Sequence, residues 1–185
     1  MGSLKGKKIA ILATDGFEQV ELTEPRKALD AAGATTIIVS PKRGEIRGWR
    51  SKEWGDTVQV DRPLDEAIPN EFDALVLPGG VMNPDHLRME PKAVIFVRQF
   101  AATGKTVAAI CHGPWTLLEA GALKGKTVTS WPSLKTDLKN AGAHWVDQEV
   151  VIDGNFIFSR NPDDIPAFSK AIIKSLGGAS QHAAA

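Results

Sequence analysis

A short apolar run that ends on a cysteine constrains this chain most. Thr106–Ile110 is continuous, partly β-branched and announced by the turn pair Gly104-Lys105, the pattern of a strand buried on both faces. Cys111, the only cysteine among 185 residues, follows at once. Beyond it Trp115, Leu117, Leu118 and Ala122 recur at helical spacing, with Pro114 near the first helical position. Cys111 is therefore expected on a bend between strand and helix, with Gly113 letting the chain turn sharply. A side chain there projects above the sheet edge, and the free N–H groups of the helix point at whatever approaches it. The positive end of the helix would favour thiolate over thiol. A free cysteine is ordinarily a small buried hydrophobe, and the elbow context shifts the reading toward a reactive group.

The rest of the chain repeats the alternation of strand and helix. Residues 7–13 read as an apolar strand and 18–32 as a helix carrying Val20, Leu22, Ala28, Leu29 and Ala32 on its apolar positions. Pro25 interrupts that pattern, so irregular first turns are expected, with the regular helix starting near Pro25 and closing at Gly33. Thr35–Ser40 is the second strand. From 41 to 60, glycines 44, 48 and 55, two tryptophans and the alternating residues 57–60 suggest a small antiparallel hairpin. Trp49 and Trp54 either pack that hairpin onto the domain or meet a partner chain, the second being favoured.

Residues 72–77 form another buried strand that ends at Pro78-Gly79-Gly80, where a glycine pair permits close backbone approach. Residues 85–103 read as mostly helix with a restart at Pro91, and Val94, Ile95, Val97 and Phe100 form its apolar face. Past the elbow, 127–131 reads as a strand, 132–141 as a helix, and 145–152 with 156–159 as a hairpin turned by Asp153-Gly154-Asn155. Residues 162–176 make the last helix; 5–178 are expected to form one domain and 179–185 a flexible tail.

Four apolar strands interleaved with helices imply an α/β fold of the flavodoxin-like or doubly wound class, its mostly parallel sheet covered on both faces. In such sheets sites lie beyond the carboxyl ends of the strands, where residues 14–21, Pro78-Gly79-Gly80 and Cys111-His112 all end. A chain of this length can bury a core without staples. Its 22 Lys and Arg balance 22 Asp and Glu, so there is no whole-chain electrostatic case for nucleic acid or a membrane surface. A single cysteine forms no internal disulfide, no charged-then-apolar leader opens the chain, and no apolar run nears the ~20 residues of a membrane span. A soluble cytoplasmic protein is expected.

Three motifs stand in order: Phe17-Glu18-Gln19-Val20-Glu21, Ala74-Leu75-Val76-Leu77-Pro78-Gly79-Gly80 and Ala109-Ile110-Cys111-His112-Gly113-Pro114. With Asp147-Gln148-Glu149-Val150-Val151 and Ser159-Arg160-Asn161-Pro162 further on, the chain resembles the ThiJ/PfpI superfamily over about residues 7–177. That superfamily contains the Parkinson-disease-associated deglycase, and its PfpI branch was first described as intracellular proteases and bacterial general stress proteins. The resemblance implies a flavodoxin-like sheet, also called class I glutamine amidotransferase-like, with a nucleophile elbow. It makes Cys111 the nucleophile, Glu21 the carboxyl group that reaches the sulfur, and His112 a base or acid whose acidic partner comes from a neighbouring subunit at Asp85.

A carboxylate beside a thiolate repels it, so Glu21 is expected to be protonated and to donate a hydrogen bond; the alternative is a first-turn helix acid stabilised by the dipole. Glu18, one turn earlier, would line the entrance. Asp85 is shorter than the Glu common in the PfpI branch, and a helix N-cap is its alternative. Gly80 and the backbone N–H of His112 would form the oxyanion hole at converging strand ends, with Gly79 beside them. Trp115 stands where many relatives carry Gln, as an apolar pocket wall or a core residue. Arg160 would hold an anionic substrate or form a structural ion pair. His86 would sit at the pocket rim and His144 and His182 are bystanders; no spacing indicates zinc.

The implied function is a cofactor-free, cysteine-dependent stress-response hydrolase acting on methylglyoxal or glyoxal adducts of proteins or small molecules. Glyoxalase-like or weak peptidase activity and a homodimer or hexamer accompany it. The alternative is a non-catalytic oxidative-stress sensor or chaperone that uses an oxidisable Cys111. A glutamine amidotransferase needs His and Glu one residue apart near the chain end, and His144-Trp145-Val146-Asp147 has the wrong spacing.

Overall fold

The computed structural model describes residues 3–178. The first half comprises β1 (Lys8–Leu12), β2 (Phe17–Glu18), α1 (Gln19–Ala31), β3 (Thr35–Ser40), β4 (Glu45–Arg50), β5 (Glu53–Gln59), β6 (Arg62–Pro63), β7 (Ala74–Leu77) and α2 (Met82–Met89). The second comprises α3 (Pro91–Ala102), β8 (Thr106–Ile110), α4 (Pro114–Glu119), β9 (Thr127–Val128), α5 (Lys135–Asn140), β10 (His144–Trp145), β11 (Val151–Asp153), β12 (Phe156–Ser159) and α6 (Ile165–Gly178).

The main sheet runs β11-β12-β8-β7-β1-β3-β6, parallel except for the antiparallel edge strand β11. β7 and β8 are buried at every position because helices cover both faces. On one face Ile9, Ile11, Val76 and Ile110 meet Leu22 and Leu29 of α1 and Phe168 and Ile172 of α6. Their alternates Ala10, Leu12, Leu75, Leu77 and Val107 meet Leu87 of α2, Phe96 and Phe100 of α3 and Leu117 of α4. The chain steps from β1 to β3 on one side and returns to β7 on the other, so the sheet reverses direction between β1 and β7. The loops after β1, β7 and β8 open at that same edge, where ligands of such sheets bind.

Several sequence expectations change. α1 passes Pro25 without a break, giving up the one N–H that would bond the Glu21 carbonyl, because burial of Leu22, Pro25 and Leu29 holds what propensity disfavours. The helix expected over 85–103 divides at Glu90, and its first part begins earlier, at Met82. Of 127–131 only Thr127–Val128 pairs, and it pairs with β10 in a separate ribbon; the chain then bends to let Trp131 N donate to Cys111 O at 3.0 Å. The helix after the elbow is only six residues long. Gly177 and Gly178 lie within α6, while the tail 179–185, His182 included, falls outside the described residues.

Candidate active site

Cys111 occupies the expected bend with φ 62, in the left-handed region that costs a side-chain-bearing residue roughly 1–2 kcal/mol. Hydrogen bonds hold it there: its N–H donates to Ser159 O at 3.1 Å, its carbonyl accepts from Trp131, and Gly113 N donates to Ile110 O at 2.9 Å. The neighbouring backbone is packed against it. A Cβ on Gly113 would strike the carbonyls of Leu77 and Ile110, and one on Gly79 would strike Glu21 Oε2, Cys111 Cβ and His112 N. Buried Asn83, which sequence reading passed over, ties the loops together. Its Oδ1 accepts from Thr14 N at 2.8 Å and its Nδ2 donates to the carbonyls of Pro78 and Gly79.

Glu21 is fully buried in the first turn of α1. Its Oε2 accepts from Gly79 N at 2.8 Å, while Oε1 is buried with no ordinary hydrogen-bond partner. Burial pushes this carboxyl up to about 8, so it carries a proton at neutral pH. The Cys111 thiol is the side chain that neighbours this carboxyl.

The thiol does not follow the expectation of a resting thiolate. Burial, and after it the charge Glu21 would carry, pushes Cys111 up, only partly offset by the N–H groups of Gly80 and His112 that point at the sulfur. With the residue 6% exposed and α4 so short, helix polarity does not outweigh lost solvation. His112 Nδ1 lies 3.2 Å from Sγ. Burial lowers this imidazole to about 4, so the ring is neutral, and the tautomer protonated at Nε2 leaves Nδ1 free to accept the thiol proton. Trp131 stacks on the ring at 5.9 Å and Trp115 meets it edge-on at 5.2 Å.

Above the sulfur opens a cleft of about 740 Å³, walled by Glu18, Glu21, Trp49, Trp54 and Trp131 among others. Glu18 lines this cleft, its carboxyl raised by partial burial and steadied by the Ser51 backbone. Trp115 does not line the cleft. It sits behind His112 because its Nε1 donates to Asp137 Oδ2 at 3.0 Å and the Arg88 guanidinium covers its face. Arg160 is likewise absent from the lining: Asp147 and Asp164 hold it at 2.9 Å in a structural ion pair.

Asp85 is exposed in the first turn of α2, where Val81 rather than Asp85 takes the cap position, and among the described residues it makes no hydrogen bond to His112. His86, on the same helix, is exposed and not part of the cleft wall. Trp131, Trp49 and Trp54 are cleft residues the sequence did not reveal. Among the described residues no group of three His, Cys, Asp or Glu is placed to hold a metal ion, and no helix is long and apolar enough to cross a membrane.

Known proteins resemble this chain over nearly its whole length. The DJ-1/PfpI family model matches residues 7–175. A deglycase of Thermococcus kodakarensis is 46% identical over 169 residues, covering 91% of this chain and 99% of that protein. Protein/nucleic acid deglycase 2 of Escherichia coli is 43% identical over 173 residues, 92% of this chain and 98% of its own. Drosophila melanogaster DJ-1beta superposes with a TM-score of 0.85 at 29% identity, covering 93% of this chain and 91% of that one. A two-domain protein of Anabaena variabilis, which joins a DJ-1/ThiJ/PfpI-like to a ferritin-like domain, superposes with a TM-score of 0.87 at 40% identity over 92% of this chain and 50% of the longer one. By the family match over residues 7–175 and these identities, the chain belongs to the DJ-1/PfpI family and is one of its cysteine hydrolases.

Proposed function

We infer that the chain removes dicarbonyl adducts, the methylglyoxal- or glyoxal-derived groups carried by amines and thiols of proteins or small molecules, with Cys111 as nucleophile. One observation carries this: the sulfur has a neutral imidazole nitrogen at 3.2 Å on one side, and a protonated carboxyl with two backbone N–H groups around it. The carbinol carbon of the adduct exchanges its bond to the carrier for a bond to Sγ. The thiol proton passes to His112 Nδ1 and then to the departing amine or thiol. The N–H groups of Gly80 and His112 and the Glu21 hydroxyl are the donors for oxygen atoms that gain charge. Within the sulfur-bound fragment, hydrogen moves from the first carbon to the neighbouring carbonyl, so a thioester forms without an outside oxidant. Water then cleaves it and restores the thiol.

The exposed carboxylate of Asp85 is the group we assign to His112 of a second copy, which makes turnover depend on assembly as a homodimer or larger ring. A reducing, cytoplasmic setting suits a thiol that must stay unoxidised. An oxidation sensor built on the same sulfur draws on thiolate at rest, which burial holds down. Catalysis in which His112 takes the proton only during the reaction fits the geometry better. Steady-state turnover of glyoxal-treated N-acetylcysteine is the test: Cys111→Ser should abolish it with the circular dichroism spectrum unchanged. Retained turnover in the folded variant removes Cys111 from the chemistry.

A further inference from the structure

The small sheet β2-β4-β5 sets Glu18, Trp49 and Trp54 in one row. Glu18 pairs with Trp49 in the parallel β2-β4 ladder, and Trp49 with Trp54 in the antiparallel β4-β5 ladder. Directly paired residues project from the same face of a sheet, and all three side chains of this row wall the cleft over Cys111. The preceding pair, Phe17 and Gly48, projects from the other face, where the buried Phe17 ring fills the space a Cβ on Gly48 would take. The cleft therefore presents three indoles, counting Trp131, and two carboxyl groups, with no Lys, Arg or His among its lining residues.

Burial raises both carboxyls of the cleft; Glu21, at about 8, is protonated at neutral pH, and Glu18 ionises ahead of it, its charge raising Glu21. Glu18 is half-buried and receives the Ser51 backbone N–H, and among the described residues no cation is placed against it. An unpaired carboxylate beside indole faces is the chemistry that recognises a cation. Both attractions favour a planar, weakly hydrated guanidinium over a compact, strongly hydrated ammonium. The chain already uses one of these rings in this way: the Arg47 guanidinium carbon lies 5.8 Å from the Trp54 centroid, while Arg47 itself does not line the cleft.

We propose that the row Glu18-Trp49-Trp54, with Trp131 in the same cleft, is a guanidinium subsite, and that the chain acts preferentially on dicarbonyl adducts carried by arginine side chains. The substrate assignment rests on the function inferred above; the cation subsite does not. A guanidinium that has added to an aldehyde keeps its delocalised charge, and its nitrogen is bonded directly to the adduct carbon. Cation and reacting carbon thus enter the cleft together. The placement of Glu18 three residues before Glu21, near enough for its charge to raise that carboxyl, suits a ligand whose two ends are so close.

Tryptophan fluorescence of the full chain, titrated with ethylguanidinium and with the neutral isostere ethylurea, tests the subsite without any turnover. Saturable change with ethylguanidinium, weakened about fivefold by Glu18→Gln and about threefold by Trp54→Leu, is the expected result. The same response to ethylurea, or none to either, overturns it. Should Glu18→Gln fail to fold by circular dichroism, the exposed Trp54→Leu variant carries the test alone.

The substrate assignment is read from kcat/KM on methylglyoxal adducts of N-acetylarginine amide and N-acetylcysteine amide. Their ratio should favour arginine and fall about fivefold in Glu18→Gln. An unchanged ratio alongside saturable guanidinium binding overturns the arginine preference. Binding of guanidinium with turnover of neither adduct overturns the hydrolytic function and leaves the subsite standing.

Discussion

The elbow and the Trp49-Trp54 ribbon face one cleft and are built on opposite terms. Around Cys111, Gly79 and Gly113 have no room for a Cβ, and Glu21, Asn83 and His112 are buried, each held by at least one hydrogen bond or ring contact. The ribbon is bulged between Arg47 and Trp49 and turns at Ser51 with φ 56. Its two indoles rest edge to face on each other at 5.5 Å, with Trp54 exposed. Groups that exchange a proton must be held to a fraction of an ångström, whereas groups that select a ligand can adjust to it. The molecule places the first kind on the sheet and the second on an appended ribbon.

Two glycines break this contrast most sharply. At Gly79 a methyl group meets Glu21, Cys111 and the His112 nitrogen, so Gly79→Ala should cut kcat/KM by at least about a hundredfold and destabilise the fold by about 1–3 kcal/mol. At Gly55 the obstacle is the amide end of Gln19, a side chain that can yield by giving up two exposed hydrogen bonds with Asp56. Gly55→Ala should therefore stay within about threefold of the parent in kcat/KM, with a surface-sized stability change. Steady-state kinetics and thermal melts of the pair decide it, and equal losses at both would mean the ribbon is held as rigidly as the elbow.

The second effect sharpens the comparison through pH, because the elbow stores a proton on Glu21. Below the ordinary Glu value of 4.5 the folded and unfolded chains both hold the Glu21 proton. Between 4.5 and about 8 only the folded chain holds it, so stability falls as pH rises through this window and levels off above it. The total is on the order of a few kcal/mol. Glu21→Gln removes the titration, so its melting temperature relative to the parent should climb from pH 5 to pH 8. A flat difference would show that Glu21 is ionised in the folded protein.

The same two groups bound activity. His112 must be unprotonated and Glu21 protonated, which predicts a kcat/KM profile with an acid limb near 4 and an alkaline limb near 8. Glu21→Gln should remove the alkaline limb, and Trp54→Leu should leave both limbs in place.

The elbow was legible in the sequence for the same reason it is rigid. Strand, glycine and helix-start signals crowd around Cys111, and Thr35–Ser40 was bounded to the residue by Gly33 before it and Pro41 after it. Those signals are local, and so is the geometry they describe. What the sequence hid depends on contacts between distant segments. Trp131 reads as the end of the strand 127–131, yet residues 129–131 leave the ladder to reach the cysteine carbonyl. Trp115, three residues past His112, reads as a pocket wall or a core residue, and it packs against the core because Asp137, 22 residues further on, draws its Nε1 away from the cleft. The resting protonation of Cys111 turns on helix length and burial, which oppose the dipole and are tertiary quantities.

Trp131 belongs to both regions, and the smallest predicted effect tests which one it serves. Its ring stacks on His112 at 5.9 Å and also lines the cleft, and at 40% exposure it contributes modestly to the core. Replacing it with leucine removes a flat cover from the imidazole and lets water approach. Since burial is what lowers His112 to about 4, the acid limb of the profile should move up from there toward 6.5. Trp54→Leu, which touches the cleft but not the imidazole, should change substrate preference without that shift. If Trp131→Leu alters preference and leaves the acid limb unmoved, Trp131 belongs with the selecting ribbon, and the boundary between the two regions runs between its ring and His112.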